Sequence, residues 1–381
     1  YDMMNWWLDR GVDGFRMDVI NLISKDPGLP DGVVYPGRAW GEGFPHFSEG
    51  PHLHEYLAEM RREVFDGRSA TMTVGECPGV RRDNVLLFTD PARRELDMVF
   101  QFDHVDLGLE RGKFDPRPLR PGELADCLSA WQEAQGEVGW NSLYLDNHDQ
   151  PRAVSRFGDE AHRYASATAL ATALHMLRGT PYVYQGEELG MTNGVFHGIE
   201  DYRDVEALRY FREATEKGTS PESVLSGLAL TGRDNARTPV QWDASPNAGF
   251  TQVTPWIGVT PNYEEINAAS QVGDPSSVYA YYRALADIRH GLPVIAVGAY
   301  ERIRASSPAI FAYRRTLGEA VATVLVNLSS YPAPLGEAAR EVSGDLLLAN
   351  RDLPEEERAV PETLGEWEAR VYLASRGQGP Q

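Results

Sequence analysis

The segment GVDGFRMDVIN, from Gly11 to Asn21, places an arginine and an aspartate inside an otherwise apolar, strand-like run. Gly11 is a typical helix end, and the run Asp13 to Val19 that follows predicts a β-strand. Arg16 and Asp18 are two residues apart, so they share one face of that strand, because side chains alternate with period two. We therefore expect both side chains to point inward, with the guanidinium keeping the Asp18 carboxylate ionised and oriented.

Helix-like and strand-like segments alternate along the chain on either side of this run. The residues before Gly11 predict an amphipathic helix with Trp6 and Trp7 in the core, and His52 to Gly67 predicts a second helix. Further strand-like runs are Ala70 to Glu76, Leu96 to Asp103, Asn141 to Asp149 and Thr180 to Glu188. Strands separated by helices, such as the Ala-rich segment His162 to Gly179, indicate a parallel sheet with right-handed crossovers.

The pattern of the sequence changes after Pro293. The runs Ala309 to Leu317 and Ala320 to Ser330 have few helical segments between them and predict a small antiparallel β domain. We place the domain boundary near residue 295, which divides the chain into residues 1–295 and 296–381.

Composition narrows the classes of function. The chain has 381 residues, 42% of them hydrophobic, and a formal net charge of −20. It has no basic stretch interleaved with aromatic residues, so a nucleic acid or an anionic membrane is disfavoured as a partner and a neutral substrate is favoured. Cys77 and Cys127 are too few for a disulfide framework or a Cys-rich metal site and are compatible with a reducing cytoplasm.

The sequence also predicts neither a membrane anchor nor a metal centre. There is no apolar run of about 18 residues and no signal-peptide pattern, so no segment is expected to span or target a membrane. The histidines show no HExxH or similar ligand spacing, so we expect no transition metal and assign no cofactor.

Three acidic residues fall at predicted strand ends, where chemistry sits in parallel α/β folds. Asp18 ends the first strand, Glu76 the second, and Asp149 the fourth. Two facing carboxyl groups about 5 to 5.5 Å apart are what retaining cleavage of a glycosidic bond requires, one attacking the anomeric carbon and one protonating the leaving oxygen. The strand before Glu76 is apolar, so we expect a raised pKa that suits a general acid. Asp149 would bind sugar hydroxyls and stabilise the positively charged transition state.

Each acid also has a structural reading. Asp18 alone could be a helix N-cap, and Glu76 or Asp149 alone could be a solvated loop residue. The three acids together, with Arg16 and His148 beside them, favour a site. Cys77, which follows an acid directly, is expected to be a packing residue and not a nucleophile.

Four segments carry a resemblance to a known family. They are GFRMDVIN (Gly14 to Asn21), VGECPG (Val74 to Gly79), LDNHDQPR (Leu145 to Arg152) and GTPYVYQGEELGM (Gly179 to Met191). They resemble, in the family's own order, the signature segments of glycoside hydrolase family 13, the α-amylase family. Together with GRDNARTPVQWD (Gly232 to Asp243), they resemble its oligo-1,6-glucosidase and α-glucosidase branch.

The resemblance implies a (β/α)8 TIM barrel followed by a small antiparallel β-sandwich domain. The strands of this chain correspond to the fourth through eighth strands of such a barrel. We therefore expect the chain to be a piece of a longer enzyme that lacks an N-terminal segment and is not an active, cooperatively folding monomer by itself. The family's calcium loop would lie in that segment, so no ion is assigned here.

The resemblance also implies roles for individual residues. Asp18 would be the nucleophile, Glu76 the general acid/base and Asp149 the transition-state stabiliser. Further residues in the pocket for the non-reducing glucose would be Arg16, His148 and Arg233. Val19 resembles branch members that accept α-1,6 links, whereas threonine or alanine there is associated with α-1,4 preference.

The function expected from this resemblance is that of a retaining α-glucosidase acting on short oligosaccharides of the isomaltose, maltose or sucrose type. One alternative keeps the chemistry but transfers the glucosyl group to a sugar, as in a trehalulose or isomaltulose synthase or a transglucosidase. The other is a catalytically silent interaction subunit. Such subunits carry a membrane anchor and have typically lost catalytic acids, whereas all three acids stand in this sequence.

Overall fold

The computed structural model describes residues 1–36 and 40–375. Residues 376–381, the end of the predicted C-terminal domain, lie outside the described residues. The chain forms two compact units, the first of residues 1–103 and 129–142 and the second of residues 104–128 and 143 onward. The predicted boundary near residue 295 stays a prediction.

The first unit contains a three-stranded parallel sheet in the order β1, β2, β3. Its strands are β1 (Gly14–Met17), β2 (Met72–Glu76) and β3 (Met98–Phe100). Asn141 adds a parallel bridge to Val99. The strands are adjacent in sequence order and parallel, as the alternating pattern predicts.

Short helices connect these strands. They are α1 (Asp2–Leu8), α2 (Phe44–Phe47), α3 (Leu53–Met60) and α4 (Leu86–Thr89). Leu53, Leu57 and Met60 are the buried residues of α3, and their spacing confirms the predicted amphipathic helix. The helix continues as a π-helical turn, Arg61–Phe65.

The prediction that Trp6 and Trp7 lie in the core is wrong. They are 47% and 46% exposed, and the Arg10 guanidinium lies 3.3 Å from the centre of the Trp6 ring. Leu8 is the buried residue of α1.

The next two strands are much shorter than the sequence pattern predicts. They are β4 (Ser142–Leu143) and β5 (Thr180–Pro181), which pair with each other. After Leu143 the backbone turns because side chains take over its hydrogen bonds: Asn147 Oδ1 accepts from the Asp149 N–H, and Asp146 Oδ2 accepts from the Ala153 N–H. Asp149 therefore lies in a loop after β4 and not at the last residue of a strand.

The remaining helices surround the core of the second unit, except that α5 divides between the units. They are α5 (Glu123–Gln135), α6 (Ala153–Phe157), α7 (Arg163–His175), α8 (Val205–Glu216), α9 (Pro221–Thr231), α10 (Ala268–Gln271), α11 (Val278–Gly291) and α12 (Pro293–Val297). The predicted Ala-rich helix is α7, which is buried from Ser166 to His175 and packs on α11. Across the described residues, no helix has both the length and the apolar character needed to cross a membrane.

The second unit ends in a five-stranded antiparallel sheet in the order β10, β12, β8, β7, β6. The strands from this sheet and a small pair beside it are β6 (Ala299–Ile303), β7 (Ile310–Leu317), β8 (Ala320–Asn327), β9 (Ala333–Pro334), β10 (Asp345–Ala349), β11 (Thr363–Leu364) and β12 (Ala369–Ser375). Phe311 and Tyr313 belong to the cluster that includes α7, whereas Ile310 and Ala312 belong to the cluster on the opposite face. The antiparallel domain is therefore present as predicted.

Candidate active site

The carboxyl ends of β1 and β2 bring together three of the predicted site residues. Met17 pairs with Gly75, so the next residues, Asp18 and Glu76, leave neighbouring parallel strands at the same edge. One Arg16 nitrogen, Nη1, forms an ion pair with Asp18 Oδ1, and the other, Nη2, lies 2.9 Å from Glu76 Oε2. The two carboxyl groups also lie within hydrogen-bonding contact of each other.

The three side chains differ strongly in exposure. The side chain of Asp18 is 74% exposed and that of Arg16 34%, whereas that of Glu76 is 10% exposed. The expectation of a buried, inward-pointing Arg16 and Asp18 pair is therefore wrong. Asp18 follows the last residue of β1, and among the described strands β1 pairs on one side only, with β2. The result is one accessible carboxylate beside one shielded carboxyl group.

Burial raises the pKa of Glu76 above its ordinary value. The hydrogen bond from the Val19 N–H and the positive charge of Arg16 lower this pKa, and the contact with Asp18 raises it further. The net direction is upward, which confirms the predicted raised pKa. Glu76 thus holds its proton to a higher pH than a solvated glutamate does.

Val19 adopts a backbone conformation that is rare for a β-branched residue. Its φ of 39° and ψ of 43° lie in the left-handed region, and its N–H donates to Glu76 Oε2 at 3.1 Å. The buried Asn21 donates from Nδ2 to the Pro78 carbonyl oxygen at 2.8 Å, so the turns after β1 and β2 are tied together. These contacts hold the Val19 N–H toward the shielded carboxyl group.

Close packing surrounds Glu76 on both sides along the chain. A Cβ atom on Gly75 would meet the Leu96 and Ile20 side chains at 2.7 and 2.8 Å, so any larger residue there would force these side chains to shift. Cys77 is fully buried, and burial raises the pKa of its thiol. A buried thiol that stays protonated is a packing residue, as the sequence predicts.

The second unit contains a cluster around Asp149. Arg237 donates from Nη2 to Asp149 Oδ1 at 2.7 Å and from Nε to the His148 carbonyl oxygen at 3.0 Å. Arg233 Nε lies 3.6 Å from Asp149 Oδ1, and His148 Nε2 lies 3.6 Å from Asp149 Oδ2. The structure thus brings together the predicted residues His148, Asp149 and Arg233.

Arg237 is a residue that the sequence reasoning missed. It is the second arginine of RDNAR and lies four residues after Arg233 on a 3-10 helix, Arg233–Arg237. The available signal was its place in the segment GRDNARTPVQWD, Gly232 to Asp243, which also contains Arg233. Its contact with Asp149 is shorter than that of Arg233.

A charge network extends from this cluster. Glu206 Oε2 lies 3.5 Å from Arg233 Nε and 2.5 Å from Lys113 Nζ. Lys113, Glu206, Arg233 and Asp149 therefore alternate in charge. Neither Lys113 nor Glu206 carries a sequence signal, because more than 90 residues separate them in the chain.

Residues 1–36 and 40–375 contain no group of three or more His, Cys, Asp or Glu side chains arranged to hold a metal ion. The two clusters contain carboxyl groups that are suited to acid–base chemistry. The first has an accessible carboxylate and a carboxyl group of raised pKa, and the second has an arginine-bound carboxylate.

Comparison with known proteins identifies the family. The description "Alpha amylase, catalytic domain" matches residues 1–298. The chain belongs to the α-amylase family. It is 50% identical over 378 residues to an oligo-1,6-glucosidase of Parageobacillus thermoglucosidasius, covering 98% of this chain and 67% of that protein. It is 43% identical over 383 residues to a trehalose-6-phosphate hydrolase of Bacillus subtilis strain 168, covering 99% of this chain and 67% of that protein.

Solved structures of the α-amylase family support the fold. An isomaltulose synthase of Klebsiella sp. LX3 matches with a TM-score of 0.90 at 36% identity, over 98% of this chain and 67% of that chain. The fold class is therefore that of the family, a TIM barrel with a C-terminal antiparallel sheet domain, as predicted. The predicted membership among glycoside hydrolases, in the company of oligo-1,6-glucosidases, is confirmed.

Proposed function

We propose that this chain carries the catalytic residues of a retaining α-glucosidase that removes terminal glucose from short α-1,6-linked oligosaccharides, with α-1,4 links as the second class. The observation that carries the proposal is the single guanidinium of Arg16, which contacts both Asp18 and Glu76. That arrangement pairs an exposed carboxylate with a shielded acid of raised pKa, which are the two groups that retaining hydrolysis uses.

In the proposed mechanism the two carboxyl groups act in sequence. Asp18 attacks the anomeric carbon while Glu76 donates its proton to the leaving oxygen, which releases the aglycone sugar. Glu76, now ionised, takes a proton from water, and the water oxygen attacks the anomeric carbon and frees Asp18. Arg16 holds Asp18 in position and moderates the raised pKa of Glu76.

We assign Asp149 to the stabilisation of the positively charged transition state. Its contacts with Arg237 and Arg233 support this role, because two guanidinium groups fix the orientation of the carboxylate. We assign Arg16, His148 and Arg233 to the pocket for the non-reducing glucose, and Arg237 joins them as a residue that fixes Asp149.

The substrate class rests on relatives and on Val19. Three relatives named oligo-1,6-glucosidase are 45 to 50% identical to this chain. Val19 lies beside the nucleophile and contacts Glu76 through its N–H. We therefore propose isomaltose as the preferred disaccharide over maltose.

The test of this proposal is to analyse the products that form from isomaltose and from maltose. With isomaltose we expect the released glucose to be the α-anomer, which proton NMR detects before mutarotation. We also expect kcat/KM to be higher with isomaltose than with maltose. Release of β-glucose would contradict the retaining mechanism, and a kcat/KM for maltose equal to or above that for isomaltose would contradict the proposed preference for α-1,6 links.

A second candidate is a glucosyl-transferring sucrose isomerase. The likeness to isomaltulose synthase and trehalulose synthase structures, with TM-scores of 0.90 and 0.88, favours it. Isomaltulose or trehalulose as the main product from sucrose would select this candidate, whereas free glucose and fructose would select the hydrolase.

We propose a cytoplasmic location for the enzyme. The support is the pair of free cysteines, Cys77 and Cys127, which form no disulfide. We also propose that the C-terminal domain starts near residue 296, because β6 begins at Ala299. Expression of residues 296–381 alone, with a folded antiparallel spectrum by circular dichroism, would support that boundary.

A further inference from the structure

Two buried carboxyl groups in the second unit have no part in the proposed mechanism. Asp146 and Glu187 are 2% and 4% exposed, and their side chains are in hydrogen-bonding contact with each other. Glu187 Oε1 accepts from the Tyr282 hydroxyl at 2.8 Å, and Asp146 Oδ2 accepts from the Ala153 N–H at 2.9 Å. The other oxygen of Asp146, Oδ1, is buried, and no N–H or O–H group of the described residues reaches it.

A buried carboxylate oxygen without a donor costs free energy unless a proton lies between the two acids. The small cavity beside Glu187, lined also by Leu145 and Met191, has no room for a water molecule, so no water reaches the pair from that side. A protonated Glu187 supplies the donor, because its O–H can donate to Asp146 Oδ1.

We propose that Asp146 and Glu187 share one proton between their carboxyl groups, and that this acid pair positions the loop that carries Asp149. The pair would act through the loop and not by touching a substrate.

The surrounding charges agree with one negative charge on the pair and not two. Charged or titratable groups that face the pair are Arg152, Glu188, Tyr184 and Tyr282. Arg152 is fully buried and binds the Gln185 carbonyl oxygen at 2.6 Å, so it offers one positive charge nearby.

Burial raises the pKa of Glu187 well above its ordinary value, and the charge of Asp146 raises it further. Burial also raises the pKa of Asp146, while the Glu187 hydrogen bond and Arg152 lower it. Both directions agree with one proton on the pair, and the buried Asp146 Oδ1, which lacks a donor, places that proton between the two carboxyl groups.

The link to the site is the hydrogen bond between Asp146 and Ala153. It closes the loop of residues 147–152 at its two ends, and Asp149 lies in the middle of that loop. Ala153 is also the first residue of α6. When Glu187 loses its proton, two negative charges face each other in the interior, and the Asp146 carboxylate loses its fixed position.

The shared proton is tested on the whole 381-residue chain by infrared difference spectroscopy. The wild-type spectrum minus the Glu187→Gln spectrum at neutral pH should show the carbonyl stretch of a protonated carboxylic acid, because any contribution of Glu76, whose pKa is also raised, cancels in this difference. Gln keeps a donor toward Asp146 but cannot titrate. Absence of that band from the difference spectrum would overturn the proposal.

The pH dependence of unfolding gives a second readout. The pair has a raised pKa in the folded state, so its stabilising effect is present at low pH and is lost as pH rises through that value. Between the unfolded and folded pKa values, the unfolding constant of the wild type should rise by up to about tenfold per pH unit relative to Glu187→Gln. Tyr281→Phe is the matched control, since it removes a buried hydrogen bond to Thr172 of 2.7 Å without removing a carboxyl group. Equal slopes in wild type and Glu187→Gln would contradict the shared proton.

The positioning role is tested by hydrogen exchange at the Ala153 amide. Exchange should stay slow in Glu187→Gln and become faster in Glu187→Ala, which has no donor for Asp146. Equal exchange in the two variants would refute the positioning role, and if Glu187→Ala does not fold, the comparisons with Glu187→Gln still decide the shared proton. Any effect on catalysis rests on the proposed function, whereas these readouts need no substrate and fail or succeed independently of it.

Discussion

Arg237 offers a sharp test of how Asp149 is held. Replacing Arg237 with methionine removes the bond from Nη2 to Asp149 Oδ1, 2.7 Å, and the bond from Nε to the His148 carbonyl oxygen, 3.0 Å. A hydrogen bond to a charged group contributes roughly 1.5 to 3 kcal/mol, and one to a neutral carbonyl about 1 kcal/mol. The side chains of Arg237 and Asp149 are 25% and 27% exposed, so solvent screens part of this. The expected loss of local stability is therefore about 2 kcal/mol.

Hydrogen exchange of the peptide that spans residues 145–157 measures this loss without requiring two-state unfolding of the whole chain. In this peptide the Asp149 and Ala153 amides are hydrogen-bonded to side chains. A loss of about 2 kcal/mol corresponds to about 30-fold faster exchange. Arg237→Lys keeps the charge but cannot make both bonds, so its exchange rate should be intermediate.

The matched control is Arg209→Met on α8. Arg209 forms an i,i+4 pair with Glu213 at 2.7 Å, with side-chain exposures of 57% and 34%. Such an exposed i,i+4 pair contributes little to stability and lies wholly within α8, outside the 145–157 peptide, so exchange of that peptide should not change. If Arg237→Met and Arg209→Met exchange this peptide at the same rate, Arg237 does not hold the loop and the reasoning is wrong.

Other predictions concern the first cluster. Val19→Thr should lower the ratio of kcat/KM for isomaltose to that for maltose, and an unchanged ratio would remove Val19 from the specificity argument. Glu76 has a raised pKa in the folded state, so the free energy of unfolding of the wild type should fall relative to Glu76→Gln as pH rises through that pKa; parallel urea titrations across pH check the sign. Cys77→Ser should lower the free energy of unfolding by about 1 to 3 kcal/mol, because a hydroxyl costs more to desolvate than a thiol at this fully buried position. The folded wild type should also resist alkylation at Cys77, and rapid labelling there by iodoacetamide would contradict its burial.

Much of the fold and of the first cluster follows from local sequence patterns. The alternation of apolar runs and amphipathic helices predicts parallel pairing, and period-two spacing predicts that Arg16 and Asp18 share a face. The raised pKa of Glu76 follows from its apolar strand. These properties depend on neighbours in the sequence, and the structure agrees with each of them.

What the sequence misses depends on contacts between distant segments or on competition for backbone groups. Apolar runs after Asn141 and Thr180 resemble long strands, yet the strands end at Leu143 and Pro181 because the polar residues that follow bind backbone N–H groups locally. Lys113 and Glu206 meet only through the tertiary fold. The left-handed conformation of Val19 opposes its own preference, so no propensity predicts it.

The proposed mechanism requires Asp18 to form a covalent bond to the anomeric carbon of the sugar. The most direct measurement is incubation of the chain with a 5-fluoro-α-glucosyl fluoride, which slows release of the glucosyl-enzyme, followed by mass spectrometry of the digested protein. We expect a fluoroglucosyl ester on the peptide that contains Asp18. The ester should be absent in Asp18→Asn and should form more slowly in Asp149→Asn. An ester on another residue, or equal labelling of Asp18→Asn, would show that Asp18 is not the nucleophile.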